Sequence, residues 1–288
     1  GETFGKNFYA FRGTYFYDKN ANWKGQASFA NWQPISSKFP ELSEKIYRKA
    51  SRVTKAECLD LPPLIKQTEY VAMSKDQAKA YKEMKDNYLT FVKDTDKAVL
   101  AQLAVTKLLR LQQIVSGFMV TEEGEALAFD SVPRLDRLRE LVEEITPNHK
   151  LIIWCSFKKN YEMIATLLEE LDIRYVMLTG EQNTKQKQEA IDEFQSEESN
   201  SPRVVIANRR SGGIGVNLTR ASYSIVYSRD FNLGDELQSE ARNHRGGSEI
   251  HDKIVQLNLC VADTVDEAVL EALNNKQKIS DIIVDLKI

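Results

Sequence analysis

The sequence predicts an α/β fold, a parallel β-sheet with helices on both faces. From residue 131 onward, short continuous runs of β-branched and aliphatic residues alternate with amphipathic helical patterns. Continuous apolar runs are typical of strands buried on both faces, and their alternation with helices is typical of a parallel sheet. Ligands of such sheets bind at the carboxyl ends of the strands, so we expect functional residues in the loops that follow them. The predicted strands cover residues 151–156, 174–180, 204–208, 224–228 and 253–259.

The bulk composition narrows the possible classes of protein. A chain of 288 residues suffices for two domains or for one domain with an insertion. Three cysteines without a CxxC pair and three scattered histidines argue for a reducing compartment and against a disulfide framework or a metal site. No apolar run approaches membrane-spanning length, so we expect a cytoplasmic protein, or a nuclear one in a eukaryote. The net charge is −3, but residues 203–220 contain four arginines and no acidic residue, which is compatible with local binding of a polyanion.

The first 47 residues form an aromatic-rich, predicted helical segment, with 12 of the 26 aromatic residues of the chain. Phe4, Phe8, Phe11 and Tyr15 are spaced four, three and four apart, which places them on one face of a helix. We expect this face to pack against protein rather than to stack on nucleic-acid bases. A loop is predicted at 23–32 and a short helix at 40–55.

A helical region is predicted next. Pro62 and Pro63 exclude a helix and precede a predicted strand at 67–73. Ser74 and Gln77 have the spacing of a capping box at the start of a helix that extends to about residue 92. A second helix is predicted at 97–115, followed by a hairpin that turns at 123–124. The helices of the alternating region are predicted at 134–145, 161–171, 185–194, 234–243 and from 264 onward.

Residues 203–247 combine features that favour phosphate binding. A strand-like run is followed by a turn with Gly213 and Gly215, which permit a close approach of the backbone to a ligand. Gln238, Arg242 and Arg245 then follow at spacings of four and three, so on a helix they share one face. Guanidinium groups match the geometry of phosphate oxygens. A glycine turn alone is as often a plain turn, and an arginine pair alone is usually solvated.

The motifs together resemble those of the second RecA-like lobe of superfamily 2 helicase-like ATPases, specifically the Swi/Snf-type double-stranded DNA translocases. SGGIGVNL at 211–218 is similar to family motif V, and the spacing of Gln238, Arg242, His244, Arg245 and Gly247 is that of motif VI. Other segments resemble the family in the same order: FGKNFYAFRGTYF at 4–16, RVTKAECLDLPP at 52–63, LLRLQQIVSG at 108–117 and LIIWCSF at 151–157. The departures from the family pattern, which suggest a bacterial or phage branch, are Ser211, Ser228, Phe231, Leu233 and Ser248.

This resemblance implies a domain organisation. Residues 64–73 and 131–288 would form the second RecA-like lobe, and residues 74–130 a helical insertion. Residues 1–63 would be a remnant that follows a missing first lobe. No GxxxxGK[ST] phosphate loop is present, and the Asp-Glu pairs at 192–193, 235–236 and 266–267 fall in predicted helices rather than at a strand end. We therefore expect ATP and Mg²⁺ to be bound mainly by the absent first lobe, and the fragment alone to be inactive.

The resemblance also implies roles for individual residues. Arg245, and with it Arg242, would supply arginine fingers to the transferred phosphoryl group. The nucleotide would be approached by Gly213, Gly215, Asn217 and Gln238. Double-stranded DNA would be held through its phosphate backbone by Ser156, Phe157, Lys158, Thr179, Gly180, Asn208 and Arg209.

Other functions remain open at this point. The lobe could belong to a strand-separating DNA or RNA helicase, although the linker and insertion favour a translocase. It could be a catalytically silent module that docks nucleic acid, although the two arginines argue against that. A free-standing dinucleotide-binding domain would need GxGxxG after its first strand, which the sequence lacks.

Overall fold

The computed structural model describes residues 3–21, 30–50, 60–91, 97–209, 216–230 and 232–274. The chain divides into two compact units, Gly1–Leu59 and Asp60–Ile288. The division into first-lobe remnant, insertion and second lobe stays a prediction. No helix in the described part of the chain is long and apolar enough to cross a membrane.

The first unit contains the predicted aromatic helix, α1 (Phe8–Tyr15). The ring of Phe11 lies 5.1 Å from that of Phe4 and 5.3 Å from that of Tyr15, so these aromatic side chains do cluster, but Phe4 precedes the helix on which it was predicted. The prediction missed an antiparallel pair of strands, β1 (Phe16–Asp18) and β2 (Trp32–Pro34), because Trp32 was expected in a loop. The predicted helix at 40–55 is shorter: α2 (Phe39–Tyr47) ends eight residues early, and 51–59 lie outside the described residues.

The second unit is built on a parallel sheet, which confirms the predicted fold class. In the described part of the chain its six strands lie in the order β3-β10-β9-β6-β8-β7, and all neighbouring pairs are parallel. The strands are β3 (Leu64–Tyr70), β6 (Lys150–Trp154), β7 (Tyr175–Leu178), β8 (Val204–Ala207), β9 (Ala221–Val226) and β10 (Ile254–Cys260). The helices between them are α5 (Pro133–Ile145), α6 (Lys158–Glu170), α7 (Thr184–Gln195), α8 (Leu233–Glu240) and α9 (Val265–Asn274).

Both faces of the sheet are buried at β6 and β8, as their continuous apolar runs predicted, and at β10, whereas the edge strand β3 is largely exposed. In β6, Leu151 and Ile153 pack into the cluster beneath α5 and α6. The alternate residues Ile152 and Trp154 pack on the opposite face, with Phe194 of α7. Successive strand residues point to opposite faces, so a strand that is apolar throughout needs a cover on each side.

The helical region packs as a separate cluster. It comprises α3 (Lys75–Phe91), α4 (Lys97–Val115) and a hairpin of β4 (Phe118–Val120) and β5 (Ala126–Ala128). Leu108 and Leu111 of α4 pack with Tyr81 of α3 and with Val265 and Val269 of α9. The capping box of α3 is confirmed, because the Gln77 N–H donates to the hydroxyl of Ser74 and the Ser74 N–H donates to the Gln77 side chain.

Replacing Gln77 by alanine should destabilise this region by about 1–3 kcal/mol. The side chain is 1% exposed, and its Nε2 donates a 2.9 Å hydrogen bond to the carbonyl of Ile114. The alanine variant loses this buried hydrogen bond and the one from the Ser74 N–H, while the Ile114 carbonyl keeps the N–H of Gly117 at 3.1 Å. Urea unfolding measures the cost, with Gln188→Ala on the exposed surface of α7 as the control. A change no larger than that of the control would contradict this role.

Candidate functional site

The residues predicted to contact DNA lie together at the carboxyl edge of the sheet. β6, β8 and β7 are neighbours, and the loops that follow them remain side by side. The N–H of Cys155 donates to the carbonyl of Ala207 at 2.9 Å, and the N–H of Asn208 donates to that of Leu178 at 3.0 Å. The structure thereby brings together Ser156, Phe157, Lys158, Thr179, Gly180, Asn208 and Arg209. Their contact with DNA stays a prediction.

Two hydrogen bonds join the loops after β6 and β9. The N–H of Ser156 donates to the hydroxyl of Ser228 at 2.9 Å, and the hydroxyl of Ser156 donates to the carbonyl of Ser228 at 3.3 Å. Ser228 is buried. Its side chain is neutral, so this position adds no negative charge that would repel a phosphate.

Hydrogen bonds between neutral groups hold the loops that follow β8 and β7. The Nδ2 of Asn208 donates to the hydroxyl of Tyr161 at 2.6 Å. Burial raises the pKa of Tyr161 to about 12, so this hydroxyl stays uncharged at neutral pH. The N–H of Thr179 donates to the side chain of Gln182 at 3.0 Å. Thr179 is buried, and its neighbour Gly180 is exposed.

The start of α6 presents one anchored and one exposed side chain. Phe157 packs edge-on against Phe118 with ring centroids 5.6 Å apart. Lys158 has an exposed side chain, and its Nζ lies 2.5 Å from the carboxylate of Glu181. The hydrogen bond to Glu181 raises the pKa of Lys158. Lys158 is thus a charged surface group whose partner is equally exposed and can be exchanged for another anion.

Arg209 is not at the surface in this conformation. It is 2% exposed, and its Nη1 forms an ion pair with Glu236 of α8. Arg229 is also buried, and its Nη2 donates to the side chain of Asn258 at 2.5 Å. Burial lowers the pKa of Arg229, and the positive charge of Arg209 acts in the same direction. Arg209 can reach DNA only if its pair with Glu236 opens.

Sequence reasoning missed this buried cluster. Glu236 lies in the first turn of α8, where the sequence placed the acidic pair at 235–236. Its ion-pair partner, Arg209, is 27 residues away in the chain. The only signals were the basic pair at 209–210 and an acid at a helix start. Neither specifies a tertiary contact.

The arginines of the motif VI segment are not on a helix, which corrects the prediction of a shared helical face. α8 ends at Glu240, and Arg242 and Arg245 lie in the turns that follow. Tertiary hydrogen bonds hold these turns. The N–H of Leu218 donates to the carbonyl of Arg242 at 3.0 Å, and the Nδ2 of Asn243 donates to the carbonyl of Ala221 at 3.3 Å.

These turns place two positive charges close together. Arg242 is 9% exposed, and its Nε has no hydrogen-bond partner in the described part of the chain. Burial lowers the pKa of Arg242, and the charge of Arg245 lowers it further. A buried donor beside a second cation is an environment that an anion would stabilise.

The residues predicted to approach the nucleotide are only partly described. Gln238 is exposed on α8, and Asn217 is exposed with its side chain accepting the N–H of Thr219 at 3.2 Å. Gly213 and Gly215 lie outside the described residues. The roles of all four stay predictions.

The structure separates two groups that the sequence placed at one edge. Glu236, early in α8, reaches the carboxyl edge through Arg209, whereas Arg242 is bonded to the segment that enters β9. A helix of eight residues is about 12 Å long, so α8 carries the chain from the carboxyl edge back along the sheet. The predicted DNA-contact residues and the arginines therefore occupy different ends of the sheet.

Comparisons with known proteins identify similar folds and a matching family. The C-terminal part of the Fun30 ATPase domain superposes with a TM-score of 0.63 at 19% identity, covering 78% of this chain and 97% of that one. A Sulfolobus solfataricus SWI2/SNF2 ATPase core in complex with double-stranded DNA gives a TM-score of 0.62 at 25% identity, over 82% of this chain and 50% of that one. Residues 133–247 match the family described as the helicase conserved C-terminal domain. The fold is thus shared with these ATPase structures, and the second unit, which contains the helicase C-terminal match, is termed the helicase lobe.

Curated relatives of this helicase lobe are longer proteins. An uncharacterized ATP-dependent helicase of Mycoplasma genitalium is 27% identical over 83% of this chain, which spans 23% of that protein. The putative ATP-dependent helicase/translocase YwqA of Bacillus subtilis is 27% identical over 78% of this chain, which spans 24% of that protein. Yeast STH1/NPS1, a nuclear protein, is 25% identical over 78% of this chain, which spans 17% of that protein.

Proposed function

We propose that the helicase lobe is the second motor lobe of an ATP-dependent double-stranded DNA translocase. It would supply positive charge to ATP that is bound mainly by a first RecA-like lobe. The observation that carries this proposal is the pair Arg242 and Arg245. Arg242 is 9% exposed, its Nε has no hydrogen-bond partner among the described residues, and the charge of Arg245 lowers its pKa further than burial does alone. Relatives named as ATP-dependent helicases support the use of ATP.

The residues present fit a nucleotide phosphate. ATP with Mg²⁺ supplies the phosphoryl group, and its transfer spreads negative charge over the phosphate oxygens. Arg245 would stabilise that charge, and Arg242, whose Nε lacks a partner, would bind beside it. Gln238 and Asn217, both exposed, would orient the nucleotide from α8 and from the segment before β9. The lobe would thus contribute charge and orientation.

The carboxyl edge would form half of the DNA track. Hydroxyl, amide and ammonium groups at strand ends hold a phosphate backbone without reading bases, which suits stepping along any sequence. Ser156, Gly180 and Asn208 would contact the backbone directly, together with the exposed ammonium of Lys158. Phe157 and Thr179, which are packed, would support those loops. Arg209 would join once released from Glu236.

A bacterial or phage origin and a cytoplasmic location are part of the proposal. The relatives include bacterial proteins and a yeast nuclear protein, so a nuclear location fits a eukaryotic source. The partner lobe would be the amino-terminal RecA-like half of the same enzyme.

Triplex displacement by a protein that carries both lobes tests this function. A double-stranded DNA translocase should release a third strand from a duplex in the presence of ATP, without separating the duplex itself. Unwinding of a forked duplex would instead support a strand-separating helicase. DNA binding without either activity would support a docking module.

Replacing Lys158 by alanine should weaken DNA binding uniformly across sequences. Each phosphate contact contributes about −0.9 to the slope of log affinity against log salt, so loss of one contact should make the slope shallower by about one unit. Glu181→Gln is the matched partner variant. It frees Lys158 from its carboxylate and should strengthen binding. An unchanged slope in the Lys158 variant would remove this residue from the track.

A further inference from the structure

A cavity of about 740 Å³ lies at the amino edge of the sheet, opposite the predicted DNA-contact residues. It is open at the start of four neighbouring strands, β6, β8, β9 and β10. Each of the segments that enter these strands contributes a cationic residue: Lys150, Arg203, Arg220 and Lys253. His149 and His251 also line it, as do the carboxylates of Glu197, Glu198 and Asp252.

Lys150 places a buried positive charge in the wall of this cavity. It is 9% exposed, and its ammonium donates to the carbonyls of Phe194 and Ser196, the latter at 2.7 Å, and to the hydroxyl of Ser201 at 2.8 Å. All three acceptors are neutral, and no ion pair of Lys150 exists among the described residues. A buried cation without a counter-charge is stabilised by an anion nearby.

Two further cationic side chains have donor groups that no described residue accepts from. The Nε of Arg203 donates to the carbonyl of Thr146 at 2.9 Å, which leaves both Nη groups without a partner in the described ranges. Lys253 is exposed and likewise makes no hydrogen bond or ion pair there. Arg220 is different, because the carboxylate of Glu197 already neutralises it.

The local field in the cavity is positive. Burial, together with the charges of Arg203 and Arg220, lowers the pKa of Lys150 to about 8. Burial also lowers the pKa of His149, and the charges that add to this effect belong to His251, Arg203 and Lys253. The charges named for both groups are positive, and among the described residues only one of the three lining carboxylates, that of Glu197, is paired with a cation of the cavity, Arg220.

We propose that this cavity binds a phosphate-type dianion, either free phosphate or the phosphate group of a small molecule. The Nη groups of Arg203 and the ammonium of Lys253 would bind its oxygens, and Lys150 would act through its charge. The Nδ1 of His149 lies 2.9 Å from the hydroxyl of Ser222, which leaves Nε2 for the ligand. The volume is within the range of small-ligand sites. This site is independent of the proposed motor function.

Binding should strengthen as the pH falls. A dianion favours the protonated imidazole, so it raises the pKa of His149, and protonation of His149 in turn strengthens binding. The pKa of free His149 lies below its ordinary value of about 6.5, so binding reaches its full strength only below that value. His251, Arg203 and Lys253 oppose protonation in the free protein, and the ligand would offset them.

Titration of the whole chain with sodium sulfate, observed by NMR of the histidine rings, tests the proposal. Sulfate remains a dianion across the range, and sodium chloride keeps the ionic strength constant. We expect saturable shifts of His149, with affinity higher at about pH 6 than at about pH 8. Lys253→Gln and Arg203→Gln should each weaken binding about fivefold or more, corresponding to about 1 kcal/mol. Lys185→Gln, on the exposed face of α7, should have no effect.

Three outcomes would overturn the proposal. They are shifts that do not saturate, equal affinity for chloride, and unchanged affinity in both cavity variants. Lys253 is exposed, so the Lys253→Gln variant should fold. It keeps the test valid if the Arg203→Gln variant fails to fold. Competition with inorganic phosphate and with glucose 6-phosphate distinguishes a free anion from an organic phosphate, and displacement by either supports the site. Displacement of sulfate by a DNA duplex but by neither small phosphate would contradict a small-molecule site.

Discussion

Replacing Arg245 by alanine in a protein that carries both lobes should reduce ATP turnover by about a thousandfold or more. Arg242→Ala should cause a loss of the same kind, because its charge stands beside that of Arg245. The physical reason is that alanine cannot stabilise the negative charge that develops on the phosphate oxygens. Steady-state ATP hydrolysis at saturating DNA measures the effect.

Two controls make this prediction specific. Arg139→Ala removes an arginine from the exposed surface of α5 and should leave turnover unchanged. DNA affinity of the Arg245 variant, measured without nucleotide, should remain close to that of the parent, because the predicted DNA-contact residues lie at the other edge of the sheet. Normal turnover in the Arg245 variant would instead favour a lobe that only docks nucleic acid.

Replacing Asp266 by alanine should destabilise the helicase lobe by about 3–5 kcal/mol. Asp266 forms an ion pair with Arg134, and the two side chains are 3% and 2% exposed. Its carboxylate also accepts the N–H of Val261 at 3.1 Å. Removing it leaves a buried guanidinium without a counter-charge. Urea unfolding followed by circular dichroism measures the change in the free energy of unfolding.

An exposed ion pair provides the comparison. Arg139 and Glu170 join α5 to α6 with side chains that are 38% and 55% exposed. Solvent screens such a pair, so Glu170→Ala should cost less than about 1 kcal/mol. Equal costs for Asp266→Ala and Glu170→Ala would show that the buried pair has no special role in stability.

The parallel sheet could be predicted from sequence because the information is local. The run at 151–154 is apolar at every position, and both faces of β6 are buried. The start of β9 at Ala221 could not be predicted, since Ser222 looks like a loop residue although it is 3% exposed. The β1–β2 pair was missed because its strands have only three residues each and pair across the chain, Phe16 with Pro34. Contacts distant in sequence decide such elements.

Prediction of the candidate site was also limited by contacts between residues that are distant in sequence. Motif spacing identified Arg242 and Arg245, but it implied a continuous helix through both. The hydrogen bond from Leu218 to the carbonyl of Arg242 belongs to the turns that follow α8, and no local pattern predicts it. Likewise, the sequence suggested that Arg209 contacts DNA, whereas the fold buries it against Glu236. The sequence could suggest which residues to consider, but it could not predict how accessible their side chains are.

ATP hydrolysis by residues 1–288 alone, compared with a protein that carries both lobes, tests the central claim most directly. The helicase lobe is proposed to supply arginine fingers and half of the DNA track to a nucleotide that the first lobe binds. The two-lobe protein should therefore hydrolyse ATP faster when double-stranded DNA is added, and residues 1–288 should show no DNA-stimulated hydrolysis. Stimulated hydrolysis by residues 1–288 at a comparable rate would contradict the account.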